Sequence, residues 1–526
     1  MKNPTFFAAH YDVIVIGGAL AGMSAAMDLA RHGNKVLILE RHNLPGGVAT
    51  SFVRSGVEME ATLHEMMSIG PKEAPLFIRE YLEENGLDLN WLRVPEAYRL
   101  SAPADSIDIT LHAGKDEDGI FLCAKEIEKQ YPGEGKKADA LLKLCEKVYE
   151  SARYFNDHSL SKIQTMMEHE GLAKTAGYSA KEVLDCFQIC TPVQKILSAY
   201  WIYVGSPMSD MPFAIYAFLM GDYMVGGSYV LRGFSHELAC AMAKKCEELG
   251  VQIEYGQEVE KILIRDEKRK DKRPSVYGVR TKRGDEIHTR YVVSAPYQET
   301  VYKKMAEPKS LVPKDAFRLV NSRKMNVSTF SLVLRLEGKP EDYNIHDYSV
   351  FSCDSPMDSD RFFEEGEQLG NWDYLTTICL NYANPDGVPE GTTSLAITAM
   401  PLPEAFFNVD ADSYRKVKRE IARQLIETVS RRIGADIFGH ILDIVIETPM
   451  SVYRYMKDYR GGVYGYRHSM SDSIVSRQGV YAKEHYIHGL TWGAAHALTG
   501  DGMAVNINNG RIAAKMIETW QKEDAQ

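Results

Sequence analysis

Near the start of the 526-residue chain, Val13-Ile14-Val15-Ile16-Gly17-Gly18-Ala19-Leu20-Ala21-Gly22 constrains the fold more than any other stretch. Four β-branched residues in a row suit a parallel strand buried on both faces, and the glycine pair ends it. Beyond the turn, Met23, Ala26, Met27 and Ala30 recur at helical spacing as one apolar stripe. Gly33 is placed to close that helix in a left-handed conformation, and residues 35–39 (KVLIL) read as a second strand.

This order of strand, glycine turn, helix and strand places the free amides of a helix start against a pyrophosphate. Gly17 permits the tight turn, and Gly22 lets helix and strand approach closely. Glu40 ends the second strand and presents a carboxylate to a ribose diol; the same charge repels a 2'-phosphate, which disfavours NADP. Ala19 stands where the G-x-G-x-x-G pattern has its second glycine. Its methyl narrows the approach of phosphates, so the turn alone leaves two readings open: a dinucleotide set slightly farther off, or a unit kept only for its structure.

The length exceeds what one hydrophobic core serves, so two or more lobes are expected. A net charge of -11 argues against a nucleic-acid partner and against purely electrostatic docking on anionic lipid. The N-terminus lacks a signal-peptide pattern and no apolar run reaches about twenty residues, which predicts a cytoplasmic protein and leaves peripheral membrane contact open. The eight cysteines form no CxxC pair and no Cys/His metal spacing; they read as buried reduced thiols, with no metal site. The insert RDEKRKDKRP mixes both signs of charge and reads as a solvated hairpin loop.

After Glu40 the sequence continues RHNLPGGVATSF, with Gly46-Gly47, and then GVEMEATLHEMMSIG. These residues resemble the start of the phytoene desaturase, carotenoid isomerase and retinol saturase group of flavoproteins, within the wider amine-oxidase-like FAD superfamily. In that group the run beginning at Gly56 is a strand like G-F-E-F-D-x-G-x-H; here Glu60 replaces the Asp, Thr62 a glycine, and Val48 the basic residue after the glycine pair. Two later stretches carry the same resemblance: residues 224–229 (MVGGSY) with a helix over about 235–249, and residues 488–517, which contain Gly500-Asp501-Gly502.

The resemblance implies an α/β chain: a Rossmann-like, glutathione-reductase-like FAD-binding domain with a β-meander, plus an interleaved α+β substrate domain. The expected division assigns 1–75, 222–305 and 441–526 to the FAD lobe, and 76–221 and 306–440 to the cap. FAD contact is expected at Gly17, Gly18, Ala19, Leu20, Ala21 and Gly22 in the turn, and at Glu40, Arg41, Gly46, Gly47 and Val48 beyond it. By alignment it extends to Val259, where relatives pair backbone groups with adenine, to Ala295, and to Gly493, Asp501, Gly502 and Met503. A helix starting near Met503 would aim amides at the flavin ring, where such a dipole stabilises the charge of the reduced state.

The cap carries an unusual aromatic density in residues 200–203 and 213–220, which reads either as plain core or as an apolar tunnel; the resemblance favours the tunnel. Tyr216, Tyr464 and Tyr466 are expected to line it. A flavin beside such a tunnel exchanges hydride with a carbon of an unsaturated chain while a proton is exchanged at the neighbouring carbon. His64, Glu65 and His496 are the candidate acids or bases. The expected function is an FAD oxidoreductase acting on carbon–carbon double bonds of a carotenoid, retinoid or unsaturated lipid, by desaturation, saturation or isomerisation. No second glycine-rich unit is apparent, so an external electron donor or acceptor is expected. Two alternatives stand beside it: an amine-oxidase-type FAD enzyme, and a non-catalytic prenyl or lipid escort protein of the same fold.

Overall fold

The computed structural model describes residues 7–8, 10–61, 65–157, 167–457, 459–472, 477 and 481–526. At its centre β1 (Val13–Ile16) runs into the helix α1 (Leu20–Arg31) and returns as β2 (Val36–Glu40). Three strands from far along the chain, β3 (Gln252–Tyr255), β4 (Tyr291–Ser294) and β5 (Leu490–Trp492), complete a five-stranded parallel sheet in the order β5-β4-β1-β2-β3.

The uninterrupted apolar runs of β1 and β2 are explained by burial on both faces. Val13, Val15, Val36 and Ile38 pack into a cluster with α1 and the C-terminal helix, whereas Ile14, Ile16, Leu37 and Leu39 face a second cluster built with the meander. That meander is a four-stranded sheet whose main strands are Val259–Arg265, Ser275–Thr281 and Glu286–His288. The charged insert forms the exposed connection between the first two of these. This is the α/β architecture expected, and α1 ends as expected, with Gly33 at φ +84° just beyond it.

A separate seven-stranded sheet carries the other lobe, with strands drawn from residues 98–111, 330–399 and 441–447. The strand Ile441–Glu447, just past the 440/441 boundary, pairs with Phe330–Glu337 at the edge of this sheet. Over it lies a helical layer whose central member is α2 (Phe213–Gly226). α2 is buried on nearly every face, which is why its sequence shows no polar stripe. It crosses the helix Gly135–Asp157 at Gly221, where a Cβ would stand 2.7 Å from that of Tyr149.

The C-terminal helix α3 (Met503–Asp524) packs along α1. Their approach is close: a Cβ at Gly510 would collide with the Ala21 carbonyl, and Ser24 Oγ donates to the Ile507 carbonyl at 2.8 Å. Chain start and chain end are thereby joined at the site described next.

Candidate active site

Two helices open onto one cavity without a side-chain cap. α1 begins after Ala19 and α3 after Gly502, and neither residue has a side-chain oxygen to offer the first amides of its helix. Helix starts left without a side-chain cap are ready to receive an anion or an acceptor oxygen from a ligand. The cavity they share holds about 420 Å³ and runs from the first glycine turn to the aromatic helices of the second lobe.

The first end is made chiefly of backbone. Gly17 has φ +106°, and a Cβ there would stand 2.8 Å from that of Ala295. At Gly22 a Cβ would collide with the Gly17 carbonyl, so helix and strand touch through the bare α-carbon. Gly46 donates to the Gly18 carbonyl at 2.9 Å and brings the second glycine pair against the first. Glu40 lines the cavity, its carboxylate held by the amides of Gly18 at 2.6 Å and His42 at 2.7 Å.

The terminal segment forms a wall. Gly493, Ala494 and Ala495 line the cavity, then Thr499 and residues 501–506. Asn509, nearly two turns inside α3, staples this wall: its Oδ1 accepts from Thr499 Oγ1 at 2.6 Å, and its Nδ2 donates to the Gly500 carbonyl at 2.8 Å. The Asp501 side chain is 8% exposed, and burial pushes its carboxyl well above the usual carboxylate range.

The other end is made of side chains. Met66, Met67, Ile215, Phe218 and Leu219 give it an apolar surface, into which Glu65, Tyr203, Tyr223, Tyr464 and His468 bring polar atoms. The segment carrying Glu65 is fixed twice. Met66 and Tyr229 exchange backbone hydrogen bonds, and Ser68 donates its amide to the buried Asp222 of α2 at 2.7 Å. Burial pushes Glu65 up to about 8, against the opposing pull of the Tyr203 hydroxyl. Burial likewise pushes His468 down to about 4, with the Arg477 cation adding to the effect. His468 Nε2 lies 4.0 Å from Asp501 Oδ1, and its ring rests on Gly500, where no side chain fits.

Of the residues singled out from sequence, Gly17, Ala19, Leu20, Ala21, Glu40, Arg41, Gly46, Gly47, Val48 and Val259 meet in the cavity wall, as do Glu65, Ala295, Tyr464, Gly493, Asp501, Gly502 and Met503. Gly18 and Gly22 stand directly behind it. His64 lies outside the described residues.

Three residues are displaced from the places expected of them. His496 does not line the cavity; while its neighbours Ala494 and Ala495 do, its ring turns away to stack on Tyr297 at 4.7 Å, and neither nitrogen has a hydrogen-bond partner. Burial pushes its imidazole down to about 3. Tyr466 also points away, donating to Glu299 Oε2 at 2.7 Å, because Gly465 at φ +70° breaks the alternation that would have put Tyr464 and Tyr466 on one side. Tyr216 donates to the Leu197 carbonyl at 3.1 Å inside the helical core, and Ile215, Phe218, Leu219 and Tyr223 of the same helix line the cavity instead. Sequence reasoning held Tyr203 only within the aromatic density of residues 200–203, and missed Tyr223, His468 and Asn509. Only Asn509 left a signal, as an amide set in the apolar stripe of a helix.

Fold and cavity together define a dinucleotide-dependent oxidoreductase architecture, with a cradle for the cofactor at the end of a parallel sheet and an apolar chamber beyond it. The chain belongs to the flavin containing amine oxidoreductase family, matched over residues 20–471, and is an FAD-dependent oxidoreductase. The residues fit that cofactor: two uncapped helix starts converge on one cavity, and glycines stand where a Cβ would close the cradle.

Among curated proteins the chain is similar to the all-trans-retinol 13,14-reductase of Danio rerio, 23% identical over 93% of this chain and 84% of that one. It is also similar to the 4,4'-diaponeurosporene oxygenase of Staphylococcus aureus strain USA300, 24% identical over 97% of this chain and 99% of that one. Among solved structures it shares its fold with an oxidoreductase from Methanosarcina mazei (TM-score 0.62, 14% identity, 95% of this chain and 99% of that one). A putrescine oxidase triple mutant matches similarly (TM-score 0.63, 13% identity, 97% of this chain and 99% of that one).

Proposed function

We propose that this flavoprotein acts on a carbon–carbon double bond of a long apolar molecule, a carotenoid, retinoid or unsaturated lipid. The observation that carries the reading is the continuity of one cavity from the Gly17 turn to a chamber walled by Met66, Met67, Ile215, Phe218 and Leu219. The similarity to retinol reductases and to carotenoid oxygenases supports it.

Bound FAD supplies hydride transfer to or from one carbon of the double bond. The chain's own residues do the rest. The apolar wall holds the substrate extended and excludes water. Asp501, whose carboxyl burial pushes upward, is the acid placed to hold a proton beside the start of α3, and His468, whose imidazole burial pushes down to about 4, stands 4.0 Å from it. Electrons reach or leave the site through an external donor or acceptor. The protein works in the cytoplasm in peripheral contact with the membranes that hold such substrates; among the described residues no helix is long and apolar enough to cross a bilayer.

The purified protein should be yellow, with absorption near about 370 and 450 nm. Anaerobic mixing of the reduced holoenzyme with a conjugated polyene should restore the oxidised spectrum and yield a product heavier by one H2, or the reverse in the oxidising direction. Bleaching by primary amines with no response to polyenes would overturn the reading in favour of amine oxidation, and a colourless lipid-loaded protein in favour of a carrier.

A further inference from the structure

The apolar end of the cavity contains one group that a pure hydrocarbon would leave stranded. Glu65 is 6% exposed and lines the chamber. Its Oε1 accepts from the Tyr203 hydroxyl at 3.3 Å, and its Oε2 is buried without a well-formed hydrogen bond, the Ser228 hydroxyl being the protein group that reaches toward the carboxyl. The surroundings hold this carboxyl in place. Tyr203 stacks on Tyr200 with ring centroids 5.1 Å apart, and Tyr200 is itself anchored by donating to the Ala97 carbonyl at 2.7 Å. Tyr223, which also lines the cavity, lies 5.9 Å from Tyr203.

A carboxyl that keeps its proton at neutral pH offers an O–H donor and an acceptor oxygen together. A hydroxyl or a carbonyl oxygen can pair with it; an alkyl end cannot. A buried polar atom left unpaired weakens binding, so the site discriminates against any ligand that fails to satisfy it.

We infer that Glu65, positioned by Tyr203, binds an oxygen-bearing terminus of the substrate, so that the natural ligand is an apolar chain ending in a hydroxyl or carbonyl group and not a bare hydrocarbon polyene. The inference rests on the proposed function and narrows its substrate class. Glu65 becomes an anchor for the end of the chain, and proton exchange at the double bond is left to the Asp501 side of the cavity.

The test compares two C20 polyenes that differ only in the terminal oxygen, all-trans-retinol and its deoxy hydrocarbon, as ligands of the oxidised holoenzyme. Binding is read by quenching of protein fluorescence and by perturbation of the flavin spectrum. The wild type should bind the alcohol about ten- to a hundredfold tighter than the hydrocarbon. Glu65→Leu should abolish that preference by weakening the alcohol and strengthening the hydrocarbon. Glu65→Gln, which keeps a donor and an acceptor, should retain part of it, and Tyr203→Phe should reduce it. Equal binding of both polyenes by the wild type would overturn the inference and leave the proposed function standing. So would an intact preference in Glu65→Leu, or a shift of the ligand-free flavin spectrum in that variant, which would assign Glu65 to the cofactor. Failure to bind either polyene would remove both.

Discussion

The two ends of the cavity are built from different materials. Around Gly17, Gly22 and Gly46 the wall is main chain, and its shape depends on side chains being absent. Around Glu65, Tyr203, Tyr223 and His468 the wall is side chain, contributed by segments far apart in sequence. The first end suits a ligand recognised by its phosphates and has little room to vary. The second is a surface on which single substitutions change the ligand without disturbing the fold.

The largest test of that contrast is Gly22→Val. A branched side chain pushes the Gly17 carbonyl and the whole turn out of register, so flavin content after purification should fall by roughly tenfold or more, read from the ratio of visible to ultraviolet absorption. If Gly22→Val still purifies yellow, the main chain does not make the cofactor end.

A second test separates the side-chain end by pH. Between 4.5 and about 8 the folded protein holds the Glu65 proton and the unfolded chain does not, so this contribution to stability is lost as pH rises through about 8. For His468 the sign is opposite. Below 6.5 the unfolded chain takes up a proton that the buried ring accepts only near 4, so stability falls as pH drops through that window. Glu65→Gln should flatten the alkaline limb of a plot of melting temperature against pH, and His468→Asn the acid limb. Glu60 and Glu447, raised by burial to about 7 and about 8, share the alkaline limb, so the readout is the difference from wild type. Parallel curves for a variant and wild type would mean that its group does not titrate as its burial requires.

The smallest effect belongs to Tyr216→Phe. It removes one hydroxyl bonded to Leu197 in the core and should cost about 1 kcal/mol in denaturant unfolding, with ligand affinity unchanged. A change in affinity would return Tyr216 to the cavity wall.

The same contrast decides what the sequence could reveal. Glycines at a turn are required by backbone conformation, so their spacing announced β1, α1 and the cradle, and Glu40 followed from its place at the end of β2. Resemblance brought in Ala295, Gly493 and Asp501, whose strands and turn lie hundreds of residues away. The aromatic helices were visible only as density. Which tyrosine meets the chamber depends on how α2 is seated among its neighbours, and Tyr216 and Tyr223 differ in that respect alone. Resemblance placed Tyr464 and Tyr466 together, but Gly465 at φ +70° turns the chain between them, so only Tyr464 faces the cavity. His468 left no trace, since its role comes from contact with Gly500 across the fold.

The fifth strand of the central sheet, Leu490–Trp492, and the helix that completes the cradle, Met503–Asp524, lie far along the sequence from β1 and α1, yet the strand joins the sheet of β1 and the helix packs against α1. A chain that has folded only its first glycine turn therefore holds half a cradle, and the flavin has nowhere to settle until these distant segments have folded back onto it. Removal of everything from Leu490 onward would keep the greasy inner helices and take away the wall that shelters a flavin.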